Sequence, residues 1–97
     1  MKKYEIMFIL SAELDEASRN AEIESLKNVL VSNGANVLEV NEWGVRELAY
    51  EINDDKRGYY VVANFETEEG SVAISEFERN CNITSSVYRY IVVRLED

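Results

Sequence analysis

Few side chains in this 97-residue chain are of a type that supports catalysis. There is no histidine, which excludes a histidine-activated nucleophile and a histidine metal ligand. The four glycines do not form a Gly-x-Gly or Gly-Lys-Ser arrangement of the kind that cradles phosphate. Carboxylates that could attract a divalent ion stand near predicted turns, where acidic runs more often form solvated surface: Asp54, Asp55, Glu66, Glu68 and Glu69. We expect no enzyme, no metal site and no cofactor.

A single cysteine, Cys81, leaves no internal disulfide and no Cys-x-x-Cys metal site. It falls in a helical pattern and is interpreted as a small core residue, with a reactive thiol as the alternative.

Aromatic and apolar residues suited to binding are concentrated in one stretch of the chain. Residues 43–52 begin with Trp43-Gly44, and after a polar loop the segment Arg57-Gly58-Tyr59-Tyr60-Val61 follows. This pattern is typical of two strands joined by a hairpin loop. It carries more aromatic and apolar surface than one small core needs, which favours a protein that works by binding.

Length and charge limit the organisation. A chain of 97 residues, 46% hydrophobic, suits one domain spanning residues 1–97. We expect an intracellular protein, since no apolar run reaches membrane-spanning length and the start lacks a signal-peptide pattern. The formal net charge of −9 argues against binding of nucleic acid through the electrostatic field of the whole protein. Any RNA binding must be local or shared with a partner.

Hydrophobic periodicity predicts six elements in the order strand, helix, strand, strand, helix, strand. Their bounds are strands 4–10, 37–52, 59–65 and 87–95 and helices 15–33 and 72–81, with a turn over residues 53–58. Gly34 ends the first helix, Ser71 caps the second, and Gly44 permits a bulge. The first helix should bury Leu14, Ala17, Ala21, Leu26, Val29 and Leu30. This order predicts a ferredoxin-like α+β βαββαβ sandwich, a four-stranded antiparallel sheet with two helices on one face.

The other face of such a sheet is left open, and here it is predicted to be apolar. If Tyr4, Ile6, Phe8 and Leu10 face the helices, Glu5, Met7 and Ile9 face outward. The open face then carries a patch formed by Met7, Ile9, Tyr60, Val62, Ile91 and Val93. Tyr4, Tyr59 and Tyr90 fall on the helix side as core residues. The opposite assignment would expose Ile6, Phe8, Val61, Phe65 and Val92. Apolar patches of this kind usually mark an interaction surface.

Three segments resemble the bacterial small-subunit ribosomal protein S6 family, and the similarity covers nearly the whole chain. They are Lys2-Lys3-Tyr4-Glu5, the stretch from Trp43-Gly44 through Leu48-Ala49-Tyr50 to Gly58-Tyr59-Tyr60, and residues 87–94. The resemblance implies a structural constituent of the small ribosomal subunit. It also implies binding to the central domain of small-subunit ribosomal RNA, as a heterodimer with ribosomal protein S18. A basic partner could supply phosphate neutralisation that an acidic chain lacks.

Candidate site residues follow from this resemblance. Lys2, Lys3 and Arg89 are expected to contact RNA phosphates. Residues expected to contact the partner are Tyr60, Val62, Ile91, Val93, Arg46 and Trp43. The chain departs from the family after Tyr50, where Glu51 replaces a usual proline, and in the loop Asn53-Asp54-Asp55, which is usually basic. Loop contacts to RNA are therefore not expected, and neither a membrane nor a small-molecule substrate is predicted.

Two other binding functions fit the residues. One is a ferredoxin-like regulatory or ligand-binding module that self-associates through its open sheet face. The other is an RNA-recognition module that stacks bases on Tyr60, for which only Phe8 offers a second aromatic residue and Glu5 intervenes. An acylphosphatase-type enzyme is disfavoured because Ser11-Ala12-Glu13 lacks the glycine and arginine of an anion-binding loop.

Overall fold

A computed structural model describes residues 2–52, 55–68 and 71–95. The strands are β1 (Lys2–Ser11), β2 (Asn36–Ile52), β3 (Asp55–Thr67) and β4 (Val87–Arg94). The helices are α1 (Glu16–Ser32) and α2 (Ala73–Ile83). All strand pairs are antiparallel, in the spatial order β2-β3-β1-β4. The predicted ferredoxin-like α+β fold is confirmed.

The core lies between the sheet and the two helices, on the face predicted from strand alternation. Ile6, Phe8 and Leu10 of the central strand β1 are at most 3% exposed. They pack with Val61 and Phe65 of β3 and with buried residues of both helices. Tyr4, Tyr59 and Tyr90 pack against this cluster as partly buried residues, as predicted. The opposite assignment of faces is therefore wrong.

Helix α1 begins and ends where its sequence signals predict. Asp15 is the N-cap residue, and its Oδ1 accepts a hydrogen bond from the backbone N–H of Ser18 at 2.7 Å. At the other end Gly34 has a φ of +92°, the left-handed conformation that terminates a helix at low cost.

The predicted buried stripe of α1 is partly wrong. Ala17 and Ala21 are exposed, whereas Ile23 is buried beside Leu26 and Leu30. Leu14 and Val29 are partly buried against the core. Burial follows the longer side chains because a methyl group at the start of the helix does not reach the sheet, and the i, i+3, i+7 face of Ile23 does.

Helix α2 buries Ala73, Phe77 and Cys81 at intervals of four, as predicted. Phe77 contacts two aromatic rings edge-on, Phe8 at 5.8 Å and Tyr90 at 6.4 Å between centroids. The N-cap position is held by Val72 rather than Ser71. The Ser71 hydroxyl still accepts a hydrogen bond from the Ala73 N–H at 3.1 Å, so it satisfies a donor of the first turn from one residue further out.

The hairpin between β2 and β3 extends further than predicted. Residues 53 and 54 of the predicted turn lie outside the described residues, and the prediction is wrong from Asp55 on. Those polar residues belong to β3, because pairing with β2 continues through Arg46 with Gly58 and Glu47 with Arg57. Strand β1 ends at Ser11, opposite Gly58. We call residues 46–52 and 55–57, which lie beyond that point, the hairpin arm.

Gly44 marks a bulge in β2, as predicted. Its φ is +88°, and the register shifts between Glu42 and Gly44. Glu42 pairs with Val61 and Gly44 with Tyr60, so that Trp43 is the extra residue.

Candidate interaction surface on the open sheet face

The sheet face opposite the helices presents three cross-strand rows of side chains. Glu5 of β1 lies between Asn64 and Val93, Met7 between Val62 and Ile91, and Ile9 between Tyr60 and Arg89. Because residues paired across antiparallel strands point to the same side, each row shares this face. The rows bring together the side chains that the sequence predicted for the open face.

Exposure divides these residues into a buried centre and an exposed margin. Ile9 is 7% exposed and Val62 is 6% exposed, although no helix covers them. On the edge strand β4, Ile91 is 52% exposed and Val93 is 47% exposed. Of the predicted partner contacts, Val62 therefore has little surface to offer, whereas Ile91 and Val93 have about half of theirs.

On the other side of the face, three predicted partner residues stack on one another. The rings of Trp43 and Tyr60 lie 6.5 Å apart between centroids with an interplanar angle of 3°. The Arg46 guanidinium carbon lies 5.6 Å from the centroid of the Trp43 ring. Trp43 remains 50% exposed. The bulge at Gly44 places the indole beside Tyr60, and the stack presents a π surface with a cation above it.

The hairpin arm folds over the end of this face. Between the pairs Glu47–Arg57 and Ile52–Asp55, β2 contains residues 48–51 where β3 contains Lys56 alone. This wide irregularity bends β2. A Cβ atom built on Gly58 would collide with Cγ2 of Ile9 and lie 3.2 Å from Cδ2 of Leu48. Leu48 and Ile9 therefore meet over Gly58, and the arm helps to bury Ile9.

Tyr50 of the same irregular segment reaches across to the far edge strand. The Arg89 guanidinium carbon lies 4.7 Å from the centroid of the Tyr50 ring, which is 59% exposed in all. Sequence reasoning missed both Leu48 and Tyr50 as residues of the open face. The Leu-Ala-Tyr segment signalled apolar surface, but its position depends on the displaced register of the arm.

The three predicted RNA contacts do not converge on one site. Lys3 lies at one end of the face beside Glu66, and its carbonyl accepts a hydrogen bond from the Leu95 N–H at 2.9 Å. Arg89 lies at the other end, six residues along β1, roughly 20 Å away at strand spacing. Lys2 alternates to the helix side. Lys2 and Lys3 thus lie at one basic corner, and Arg89 of β4 lies beside the arm, against Tyr50.

A polar contact between α1, β2 and β3 joins the helical layer to the base of the arm. The Tyr59 hydroxyl donates a hydrogen bond to Oε1 of Glu42 at 2.7 Å, and the Arg19 guanidinium carbon lies 4.2 Å from the Tyr59 ring centroid. Partial burial, and then the hydrogen bond to the Glu42 carboxylate, raise the pKa of Tyr59.

The cysteine and the carboxylates that the sequence offered for chemistry do not form a reactive site in the described residues. Cys81 is 3% exposed, and burial, with the charges of Glu22 and Glu78, raises the pKa of its thiol to about 12. The prediction of a core cysteine is confirmed. Within residues 2–52, 55–68 and 71–95, no three His, Cys, Asp or Glu side chains are grouped as metal ligands would be. In those same ranges no helix has the length and apolarity to span a membrane.

Two helices lie on one face of a β2-β3-β1-β4 antiparallel sheet, and half-exposed apolar and aromatic residues lie on the other, which defines a ferredoxin-like α+β protein with an open sheet face. The fold is similar to the crystal structure of the 30S ribosomal protein S6 from Thermotoga maritima, with a TM-score of 0.90 and 26% sequence identity. That similarity covers 97% of this chain and 87% of the other. The family described as Ribosomal protein S6 matches residues 3–94. The chain belongs to the ribosomal protein S6 family of the small ribosomal subunit.

Proposed function

We propose that this protein is a structural constituent of the small ribosomal subunit in the bacterial cytoplasm. It binds the central domain of small-subunit ribosomal RNA as a heterodimer with ribosomal protein S18, and it has no catalytic activity. The observation that carries the proposal, beyond family membership, is the open sheet face. That face keeps Trp43, Ile91 and Val93 about half exposed on a sheet whose other side is fully used by the helices.

The partner binds across this face in the proposal. Aromatic and arginine side chains are over-represented among residues that dominate binding energy, and the Arg46–Trp43–Tyr60 stack is of that type. Ile91 and Val93 supply the apolar contact on the opposite edge. Val62, which is nearly buried, supports the surface from below.

Charge gives the second protein a role in RNA binding. A net charge of −9 repels phosphate at long range, and a basic partner offsets it while gaining complementary contacts. Lys2 and Lys3 then contact phosphates at one corner of the sheet, and Arg89 does so beside the arm. These contacts position the RNA and do not read its sequence.

The test is a titration of the purified chain with S18, comparing two substitutions at equally exposed valines. Val93→Glu puts a charge on the open face, and Val31→Glu puts the same charge on α1, where the side chain is 50% exposed. We expect Val93→Glu to weaken heterodimer formation by about tenfold or more, the effect of a charge left unpaired in an interface. Val31→Glu should bind as the unsubstituted chain does.

RNA binding is measured next, with the heterodimer and a central-domain RNA fragment over a salt series. Lys3→Ala should reduce the slope of log affinity against log salt by about one, the loss of one phosphate contact. Equal S18 affinity for Val93→Glu and Val31→Glu would contradict the partner face. Absence of any S18 or RNA binding, with self-association instead, would favour the regulatory module.

A further inference from the structure

The two edges of the sheet differ in how they are protected against pairing with another strand. Edge strand β2 has three register shifts, at Val37/Glu39, Glu42/Gly44 and Glu47/Ile52. It also carries the acidic residues Glu39, Glu42, Glu47 and Glu51. Bulges and charges are the features by which natural proteins prevent edge-to-edge association. Strand β2 is therefore a protected edge.

Edge strand β4 has less of this protection: it has one register shift, between Val87 and Arg89, and its only charged side chains are Arg89 and Arg94. Its pairing with β1 is regular from Arg89 to Arg94, and the strand contains no proline, lysine or acidic residue. The backbone N–H of Leu95 donates a hydrogen bond to the Lys3 carbonyl, and this bond shows which residues of β4 hydrogen-bond to β1. In an antiparallel pair every second residue bonds to the neighbour, so Arg89, Ile91 and Val93 bond toward β1. The N–H and C=O groups of Tyr90 and Val92 then point away from the sheet.

The space beside this edge can receive a strand. A groove runs between β4 and the end of α2, lined by Asn82, Thr84, Tyr88 and Tyr90 among others. Ile91 of β4 also lines the groove and is 52% exposed, and Val93 further along the strand is 47% exposed. An added strand would cover apolar side chains on both sides of the sheet.

The residues of β4 are complementary to a second copy of β4 running antiparallel. A two-fold axis at Ile91 places Ile91 opposite itself, Tyr90 opposite Val92 and Arg89 opposite Val93. The pairs of Ile91 with Ile91 and of Tyr90 with Val92 are apolar and aromatic pairs of the stabilising kind, whereas Arg89 with Val93 joins a charged side chain to an apolar one. Arg94 meets Tyr88, so the two arginines of each copy do not face each other and no like charges are opposed. The same phase brings the outward groups of Tyr90 and Val92 together as hydrogen-bonding partners.

We infer that the protein self-associates through β4, forming an isologous dimer with a continuous eight-stranded sheet. The occupant of the β4 edge is a second copy of this chain. Dimerisation covers Ile91 and Val93, so it competes with any partner that uses those side chains. The inference depends on the edge alone and stands whether or not S18 is the partner.

Amide hydrogen exchange followed residue by residue tests this on the unsubstituted full chain at about 10 μM and 1 mM, without partner or RNA. Tyr90 and Val92 amides should exchange at least about tenfold more slowly at the higher concentration, because only the dimer bonds them. Ile91 and Val93 amides, bonded to β1, should show no concentration dependence beyond that of the global fold. Sedimentation should show a mass rising from 11.2 kDa toward twice that value.

A substitution distinguishes loss of strand pairing at the β4 edge from loss of the fold. Val92→Pro removes an outward N–H and leaves the β1 ladder intact, a placement that edge strands tolerate, and Val92→Thr is the matched branched control. We expect Val92→Pro to stay monomeric and Val92→Thr to dimerise. Equal exchange of Tyr90 and Val92 at both concentrations would overturn the inference even if Val92→Pro fails to fold. Protection that arises only when S18 is added would also overturn it, since the edge would then receive a partner strand.

Discussion

Gly58 is the position at which the hairpin arm contacts the open sheet face, and Gly58→Ala tests that contact. Gly58 is not among the glycines with positive φ, so its backbone suits alanine. At such a site the loss of chain entropy in the unfolded state would stabilise by about 0.4–1 kcal/mol. The added Cβ, however, collides with Cγ2 of Ile9 and lies 3.2 Å from Cδ2 of Leu48. The two effects have opposite signs.

The steric effect should dominate. Cγ2 of Ile9 is attached to a β-branched carbon with a stiff χ1 angle, so it cannot turn aside. Overpacking of this kind costs about 1–3 kcal/mol. Subtracting the entropic gain leaves a net loss of about 0–2.6 kcal/mol, with a central value of about 1.3 kcal/mol, in the free energy of unfolding. For a chain of this size each kcal/mol lowers Tm by about 4–8 °C.

Urea and thermal unfolding followed by circular dichroism measure this loss in a double-mutant cycle with Ile9→Ala. Removing Cγ2 of Ile9 should make Gly58→Ala about 1–3 kcal/mol less costly than in the unsubstituted chain, because the cycle recovers the steric cost. Gly34→Ala is the control: its φ of +92° makes it destabilising, with no atom of the described residues within 4 Å of the added Cβ. Ile9→Ala should not rescue it. Increased stability of Gly58→Ala, or equal cost of Gly58→Ala with and without Ile9→Ala, would refute the close packing of Ile9 against Gly58.

Three further substitutions or treatments follow from the surroundings of single side chains. Tyr59→Phe should cost about 0.5–1 kcal/mol, the lower range for a solvent-exposed hydrogen bond. Because the pKa of Tyr59 is raised in the folded state, the stability that its hydroxyl contributes is present below pH 10 and is lost as pH rises through the folded pKa. The Tyr59→Phe variant should not show this loss of stability at alkaline pH. Cys81, with its pKa raised to about 12, should be alkylated by iodoacetamide at pH 8 only on unfolding, and labelling in the native state at the rate of a free thiol would contradict its burial. The hydrogen bond from Ser18 lowers the pKa of Asp15, so Asp15→Ala should destabilise above pH 4 and converge with the unsubstituted chain as pH falls; equal stability at pH 7 would disprove the cap.

The faces of the sheet could be predicted from the sequence, whereas the shape of the open face could not. Alternation along β1 and β3 assigns Ile6 and Val61 to one side and Met7 and Val62 to the other, because a strand has a side-chain period of two. Exposure depends on neighbours that are distant in sequence. Val62 and Ile9 are nearly buried without a helix above them.

The arm shows a second limit of sequence reasoning. Polar residues 55–58 have turn composition, yet they extend β3 because β2 continues beside them. Tyr50 meets Arg89 through an irregular register that no local pattern encodes. The family resemblance groups Arg89 with Lys2 and Lys3, yet Arg89 lies opposite Ile9, at the other end of β1.

The strand order β2-β3-β1-β4 has a consequence for synthesis of the chain. The first strand made is central in the sheet, and its two neighbours begin at residues 55 and 87. Translation at ~5–20 residues per second therefore leaves the apolar side chains of β1 without strand partners for several seconds. The hairpin of β2 and β3 has local contacts and can form early, whereas β1 must close a long loop to reach each neighbour. Nascent chains of this protein should thus carry an unfolded apolar N-terminus until late in elongation, which is a natural target for chaperones on the translating ribosome.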